Sequence, residues 1–353
     1  MKLLLGFILS LLFLFGCGEK KEEKAPVKTS ENNLTPDTSD IATTPVEDQN
    51  QTFHMRYNFI LNKDYKYSIS TLTENTETMR TDTTITLHAK QNITYLLDIK
   101  PVEIDKDSIT KFVCNFYSVK IDANVKGHKF SYQSGVTTDS LSKARFAEYE
   151  SSVNNPFNIT VNRTGDVIDI TKTDKILSKF LALKNIPDTL RSQQKDKINK
   201  QVIQRGLRPL VSQVFRKIPE NSLAKDSVWT YKQSPYSLVV FQVSATNIYK
   251  ISSLQDYMND RLAVIDASIE TKISGKNEVS EQGFTYNFDK PVTEATGKIY
   301  FNIDKGYLQK SKVKTGNRVA RANTSRGSIA AASDSGNLIN RRLKRSTSAS
   351  TAL

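Results

Sequence analysis

Residues 263–273 read Ala-Val-Ile-Asp-Ala-Ser-Ile-Glu-Thr-Lys-Ile. Ala263, Ile265, Ala267, Ile269, Thr271 and Ile273 alternate with Asp266, Ser268, Glu270 and Lys272. A repeat of two puts one set of side chains on each face of a pleated strand, with one face buried and the other in water. An amphipathic helix would need apolar residues three and four apart instead. This stretch therefore specifies a strand of a sheet with one apolar face.

The same alternation extends outward in both directions. Phe53, Met55, Tyr57 and Phe59 alternate, Asn62 to Asp64 supply a turn, and Tyr65, Tyr67 and Ile69 alternate again, which predicts an opening hairpin. Ile85 and Leu87, then Ile93, Tyr95, Leu97 and Ile99, and after a turn at 105–108 Phe112, Cys114 and Phe116, continue it. Phe157, Ile159 and Val161 turn through Gly165 to Val167, and Phe301 and Ile303 turn through Gly306 to Leu308. Those two hairpins share a pattern that suggests an internal duplication. Val228, Trp229, Tyr231, Val239, Phe241, Val243, Phe284, Tyr286 and Phe288 add further strands.

Helical spacing is confined mainly to residues 172–218; Asp139 could also cap a short helix at Ser140. Ile176, Leu177, Phe180, Leu181 and Leu183 form one apolar stripe, and Ile198, Val202, Leu210, Val211, Val214, Phe215 and Ile218 a second, with Pro209 placed to start a new helix. This segment holds twelve bases against three acids, a large part of the formal net charge of +13. The expected fold is mainly β, a curled antiparallel sheet or half-barrel of about a dozen strands with the helical insertion packed against it; Phe180, Leu183, Val211, Val214 and Phe215 face the sheet and the lysines face outward.

The ends differ in composition. Lys2, the apolar run from Leu3 to Phe15, and Gly16-Cys17 have the order of a secretory signal whose apolar part is too short to span a bilayer. Residues 1–16 are read as a signal peptide and 17–52, rich in Pro, Thr, Asn and acids, as an anchor and disordered linker before a domain over 53–316. Residues 317–353 lack aromatics, carry six arginines and one lysine, and are read as a basic disordered tail. Cys17 and Cys114 are the two cysteines of the chain, and Cys114 among Phe112, Val113 and Phe116 is read as a small buried apolar side chain.

Catalytic motifs are sparse. There is no Gly-rich phosphate loop, His-Glu-x-x-His or Gly-x-Ser-x-Gly. His54, His88 and His128 stand far apart, which favours structural or surface roles over a metal site, and no cofactor is implied. Ser140-x-x-Lys143, Tyr257-x-Asn259 and Lys314-Thr315-Gly316 follow the order used by serine penicillin-recognising enzymes. Ser-x-x-Lys occurs five times in the chain, however, and the large helical domain that houses such a serine is missing, so this enzyme is the remote alternative. The Lys-rich helices lack a nucleic-acid-binding fold; they suit solvent or an anionic envelope surface better.

Leu14, Phe15, Gly16 and Cys17 resemble the lipobox of bacterial lipoproteins. That resemblance implies diacylglyceryl on the Cys17 sulfur. Lys21, Glu22 and Glu23 resemble the export signal of Bacteroidetes-type surface lipoproteins, which implies display at the outer membrane; read as a plain charged tether, they leave the protein facing the periplasm. Across 53–316 the chain resembles an uncharacterised family of such lipoproteins with a strand-rich domain of unknown function. The features are the Phe59 to Tyr67 hairpin, Asn155-Pro156-Phe157, the helical middle ending near Ile218 and Pro219, Asp226 to Trp229, and Gly297 to Leu308, with Lys225 where glycine is expected. The architecture is also similar, distantly, to periplasmic carriers of lipoproteins and lipids. The functional expectation is a non-enzymatic outer-membrane lipoprotein holding an apolar or lipid ligand in a groove between sheet and helices. The alternative is a surface scaffold or adhesion module with no small-molecule site.

Overall fold

The computed structural model describes residues 34, 41–80, 84–187, 189, 197–238, 240–281 and 284–326. Among the described residues fifteen strands form one curled sheet, and few helices accompany them. The strands are β1 (Thr44–Pro45), β2 (Tyr65–Arg80), β3 (Thr84–Ile104), β4 (Thr110–Val125), β5 (His128–Gln133), β6 (Phe157–Val161), β7 (Val167–Thr171) and β8 (Val228–Lys232). They continue with β9 (Tyr236–Leu238), β10 (Phe241–Tyr257), β11 (Asp260–Ser274), β12 (Glu278–Glu281), β13 (Phe284–Phe288), β14 (Val292–Asn302) and β15 (Tyr307–Arg326). The helices are α1 (Ser140–Arg145), α2 (Ala147–Glu150) and α3 (Asp174–Leu183), then a π-type stretch Lys200–Leu207 running into α4 (Arg208–Val214). The mainly β reading holds, with two short helices between β5 and β6 in addition to the insertion at 172–218; the sheet is not a closed barrel.

The sheet is built from two five-strand meanders. In the first, the order β2-β3-β4-β6-β7 follows the chain; in the second, β8-β10-β11-β14-β15 does so. Each ends in a Gly turn preceded by the same register slip, at Thr160/Val161 in one and Tyr300/Phe301 in the other. Asn162 and Asn302 then close the turns: their carbonyl oxygens accept from Gly165 N at 3.0 Å and Gly306 N at 2.9 Å. Their side-chain oxygens accept from backbone N–H groups inside the same turns, Asp166 at 2.8 Å and Lys305 at 2.8 Å. The duplicated pattern thus aligns Val161-Asn162 with Phe301-Asn302, two residues off the alignment that the apolar residues alone suggest. Within each half neighbouring strands are antiparallel, but the junction between the halves, β15 on β2, is parallel. The sheet is therefore mixed, where the alternation predicts a purely antiparallel one.

Residues 53–59 keep their expected alternation of burial, with Phe53, Met55, Tyr57 and Phe59 inside, but they are not the first arm of a hairpin. The segment threads through the concave side. Phe53 exchanges hydrogen bonds with Leu223 at 2.8 Å, Tyr57 N donates to Arg163 O at 2.9 Å, and Asn58 N donates to Gly306 O at 2.8 Å. Both Gly turns therefore grip one strap. Gly165 has φ +86°, and a Cβ there would lie 2.4 Å from Arg216 O and 2.6 Å from the Tyr57 ring; Gly306 has φ +70°, and a Cβ would lie 2.7 Å from Arg56 O.

Two boundaries move outward. Residues 41–52, expected in the linker, pack on the domain: the Gln49 amide donates to Val46 O and Leu254 O at 2.8 Å each and accepts from Leu254 N at 2.9 Å. An amide side chain can imitate a strand in this way, which alternation cannot reveal. Residues 317–326, expected in the tail, continue β15 between β2 and β13. Val239, read as a strand residue, lies outside the described residues, as do 327–353.

The insertion forms as its stripes require, with one irregularity. Pro209 has no N–H to give and its ring crowds the carbonyl four residues back. The chain widens into the π-type stretch just before it and resumes α geometry in α4.

Candidate functional site

The helical insertion plugs the upper part of the concave face. Phe180, Val211, Val214 and Phe215 are buried in the main core with Phe112, Phe116, Phe157 and Ile159, and Leu183 packs against it half-buried. Lys172, Lys175, Lys184, Lys197 and Lys200 are exposed. Other cations pin the plug in place: Arg208 donates to Val167 O, Lys217 meets Asp166 at 2.8 Å, and Lys179 meets Glu150 at 3.2 Å. The Lys217 ammonium helps hold the Asp166 carboxyl below its ordinary value against the opposing effect of burial. Beside the strap, burial pushes the phenols of Tyr57 and Tyr67 far above their ordinary value, so both stay protonated. The contact between helices and sheet, where an apolar groove was expected, is taken up by these side chains.

Below the plug the inward-facing residues change character. Cross-strand register stacks them in tiers. Tyr249, Ala267, Gly297 and Val313 form one; Ala295, Thr315, Thr73, Gln91 and Ala123 form the next; Asn75, Ala89 and Val125 follow. In the tiers above, the same face carries Ile251, Ile265, Ile299, Phe301, Tyr95 and Leu97, all buried. Apart from Tyr249 on β10, which is large and buried, the lower floor is mostly small or polar; Val125 is buried, Val313 and Thr315 are exposed, and the rest is half-buried. Small side chains on a curved sheet do not reach its axis, so a trough is left. Gly297 sharpens the curl: a Cβ there would sit 2.3 Å from Lys312 O and 2.7 Å from the Val313 side chain, so only glycine lets β14 and β15 approach this closely. Two polar atoms on this face, Asn75 Oδ1 and Ser311 Oγ, are buried without a hydrogen-bond partner among the described residues. A buried orphan of this kind costs about 1–3 kcal/mol until a donor or acceptor arrives. The trough combines apolar walls at Ile269, Ile273 and Leu87 with a few hydrogen-bonding groups, which is how small-molecule sites are commonly made.

The trough was not visible in the sequence, because its residues come from β2, β3, β4, β11, β14 and β15. The only local signal is the change from Ile and Tyr to Thr, Ala and Gly along strands that keep their alternation.

The other sequence candidates fall as follows. Cys17, Lys21, Glu22 and Glu23 lie outside the described residues. Cys114 is buried, and burial pushes its thiol far up. His54 is exposed on the strap. His88 and His128, distant in sequence, are brought to one hairpin tip, where Lys126 N donates to His88 O at 3.1 Å. There an open cleft of about 400 Å³ is lined by Thr86, Leu87, His88, Lys90, Asn124, Lys126 and Gly127. Among the described residues, no group of three or more His, Cys, Asp or Glu is placed to hold a metal.

Ser140 does start a helix, with Asp139 Oδ1 accepting from Ser142 N at 2.7 Å, but α1 has six residues. Tyr257 and Asn259 lie at the β10–β11 turn, and Lys314 to Gly316 lie in β15, which β2 and β3 separate from β4. The sheet order does not bring the three motifs together.

A curled sheet, plugged at one end by helices and open along a small-residue trough, defines a non-barrel β scaffold with a concave face. The chain belongs to the family of unknown function DUF6263, whose model matches residues 107–308, from the β3–β4 turn to the start of β15. No curated protein and no solved structure matches it.

Proposed function

We propose that this chain is a non-enzymatic, lipid-anchored protein of the outer membrane that holds an apolar or lipid ligand in the trough below the helical plug. The observation that carries this reading is the half-exposed floor of Thr73, Gln91, Ala123, Ala295 and Gly297 on a concave face whose upper part is filled. The apolar run before Cys17 and the lipobox supply the address. The test is binding of a fluorescent fatty acid together with mass spectrometry of copurified lipid. Thr73→Trp should fill the trough and weaken probe binding about tenfold or more, since one large side chain displaces roughly that much burial from a ligand, while leaving the unfolding midpoint near that of the parent. A parent that never binds the probe, or a variant that binds it equally, would overturn the trough reading. The surface-scaffold reading would then stand, favoured by the filled contact between helices and sheet.

Anchoring is tested separately. Cys17→Ser should move the protein from the membrane fraction to the soluble one, and the wild type should carry the mass of an acylated N-terminus. Replacement of Lys21, Glu22 and Glu23 by alanine should abolish protease accessibility on intact cells; unchanged accessibility would reduce the triplet to a tether.

A further inference from the structure

Large exposed aliphatic side chains occur on several parts of the described surface, Leu72, Ile85, Val136 and Leu141 among them, but five are gathered in one place. Ile60 (62% exposed), Leu61 (49%), Val102 (37%), Ile104 (42%) and Met258 (77%) all lie at one end of the sheet. Strand direction places them there: β3 ends at Ile104, β10 ends at Tyr257, and β2, β11 and β15 begin at the same end. Contacts link them around the rim. Lys305 reaches Asp260 beside Met258, Asn58 N donates to Gly306 O at 2.8 Å, and Asn62 N donates to Pro101 O at 2.8 Å.

Met258 is the most telling. It occupies the first central position of the β10–β11 turn with φ +49°, followed by Asn259 at +66°. Such turns favour asparagine and glycine, so a long aliphatic side chain is held at the tip against the local backbone preference. Contiguous exposed aliphatics mark contact surfaces. The chain itself indicates what lies beyond this end. Thr44 and Pro45 pair with Asp256 and Gln255, next to Met258, so the described stretch that begins at Ile41, 24 residues after Cys17, lies at the same end.

We propose that this rim docks on a phospholipid surface, the aliphatic tips entering the headgroup region of the membrane that carries the anchor. The proposal takes its orientation from the lipid-anchor reading and is independent of the trough. Charges of both signs surround the tips, Lys63, Lys100 and Lys106 with Asp64, Glu103 and Asp107, so insertion of apolar side chains, not net charge, drives the contact.

The full chain with Cys17→Ser is mixed with phosphatidylethanolamine–phosphatidylglycerol vesicles and its partition measured by flotation. The expected result is binding that survives high salt, because apolar insertion is not screened. Ile60→Glu with Met258→Glu should then lower the partition about tenfold or more, as loss of even one buried aliphatic side chain changes a transfer constant by about that factor. The unfolding midpoint should not move, since both positions are exposed. Absence of binding, equal binding by the double variant, or release by salt alone would overturn the proposal. So would a dimer that the double variant dissociates without any vesicle binding, which would make the rim an interface between copies. Failure of the anchor reading is read elsewhere, as an unlipidated Cys17 in the wild type.

Discussion

Phe215→Ala is expected to destabilise the fold by about 3–5 kcal/mol, the range for removing a fully buried aromatic side chain from a core that cannot collapse around the loss. Phe215 follows α4 and is 2% exposed. Its ring lies 5.1 Å from Phe112 on β4, 5.8 Å from Phe59 and 5.7 Å from Tyr57 on the strap. Three separate parts of the chain meet there, so its loss leaves a cavity with walls from all three. The measurement is a urea unfolding curve followed by circular dichroism. Lys217→Ala is the control: its 2.8 Å pair with Asp166 is largely in water, and such pairs contribute at most about 1 kcal/mol. If the two variants shift the midpoint equally, the plug does not hold the sheet.

Gly165→Ala should cost about 3 kcal/mol or more, against about 1–2 kcal/mol for Gly127→Ala. The two glycines have nearly the same positive φ, +86° and +85°. Any difference therefore excludes the intrinsic penalty of a side chain in the left-handed region. At Gly127 a new Cβ meets nothing within 4 Å; at Gly165 it meets Arg216 O and the Tyr57 ring. The excess measures how tightly the β6–β7 turn holds the strap and the end of the plug. Equal midpoints for the two variants would show that the strap yields freely.

How much of this was legible beforehand depends on the range of the interaction. Alternation at Ala263 to Ile273 and at Tyr65 to Ile69 identified strands, because the pleat alone puts successive side chains on opposite faces. The stripes at Ile176 to Leu183 and Val211 to Phe215 likewise identified the buried face of the helices. Phe53 to Phe59 shows where this logic stops. Its alternation correctly gave the buried side chains, but the partners of its backbone are Arg163, Leu223 and Gly306, more than a hundred residues away. A period of two says that a segment is extended; it does not say what pairs with it. The same holds for residues 317–326, whose polar composition resembled a tail until β2 and β13 supplied hydrogen bonds on both sides.

By itself, then, the sequence determined the class of element at most positions, the buried face of each, the two Gly turns, and the plug's contact with the sheet. These follow from local periodicity and from backbone conformations that only certain residues adopt. Tertiary structure alone decided the parallel joint between β15 and β2, the strap through the concave side, the trough on six strands, and the gathering of Ile60, Val102 and Met258 at one rim. Each is a relation between segments far apart in the chain, fixed by the order in which strands pair and the curl they adopt, and no local pattern of side chains encodes that order.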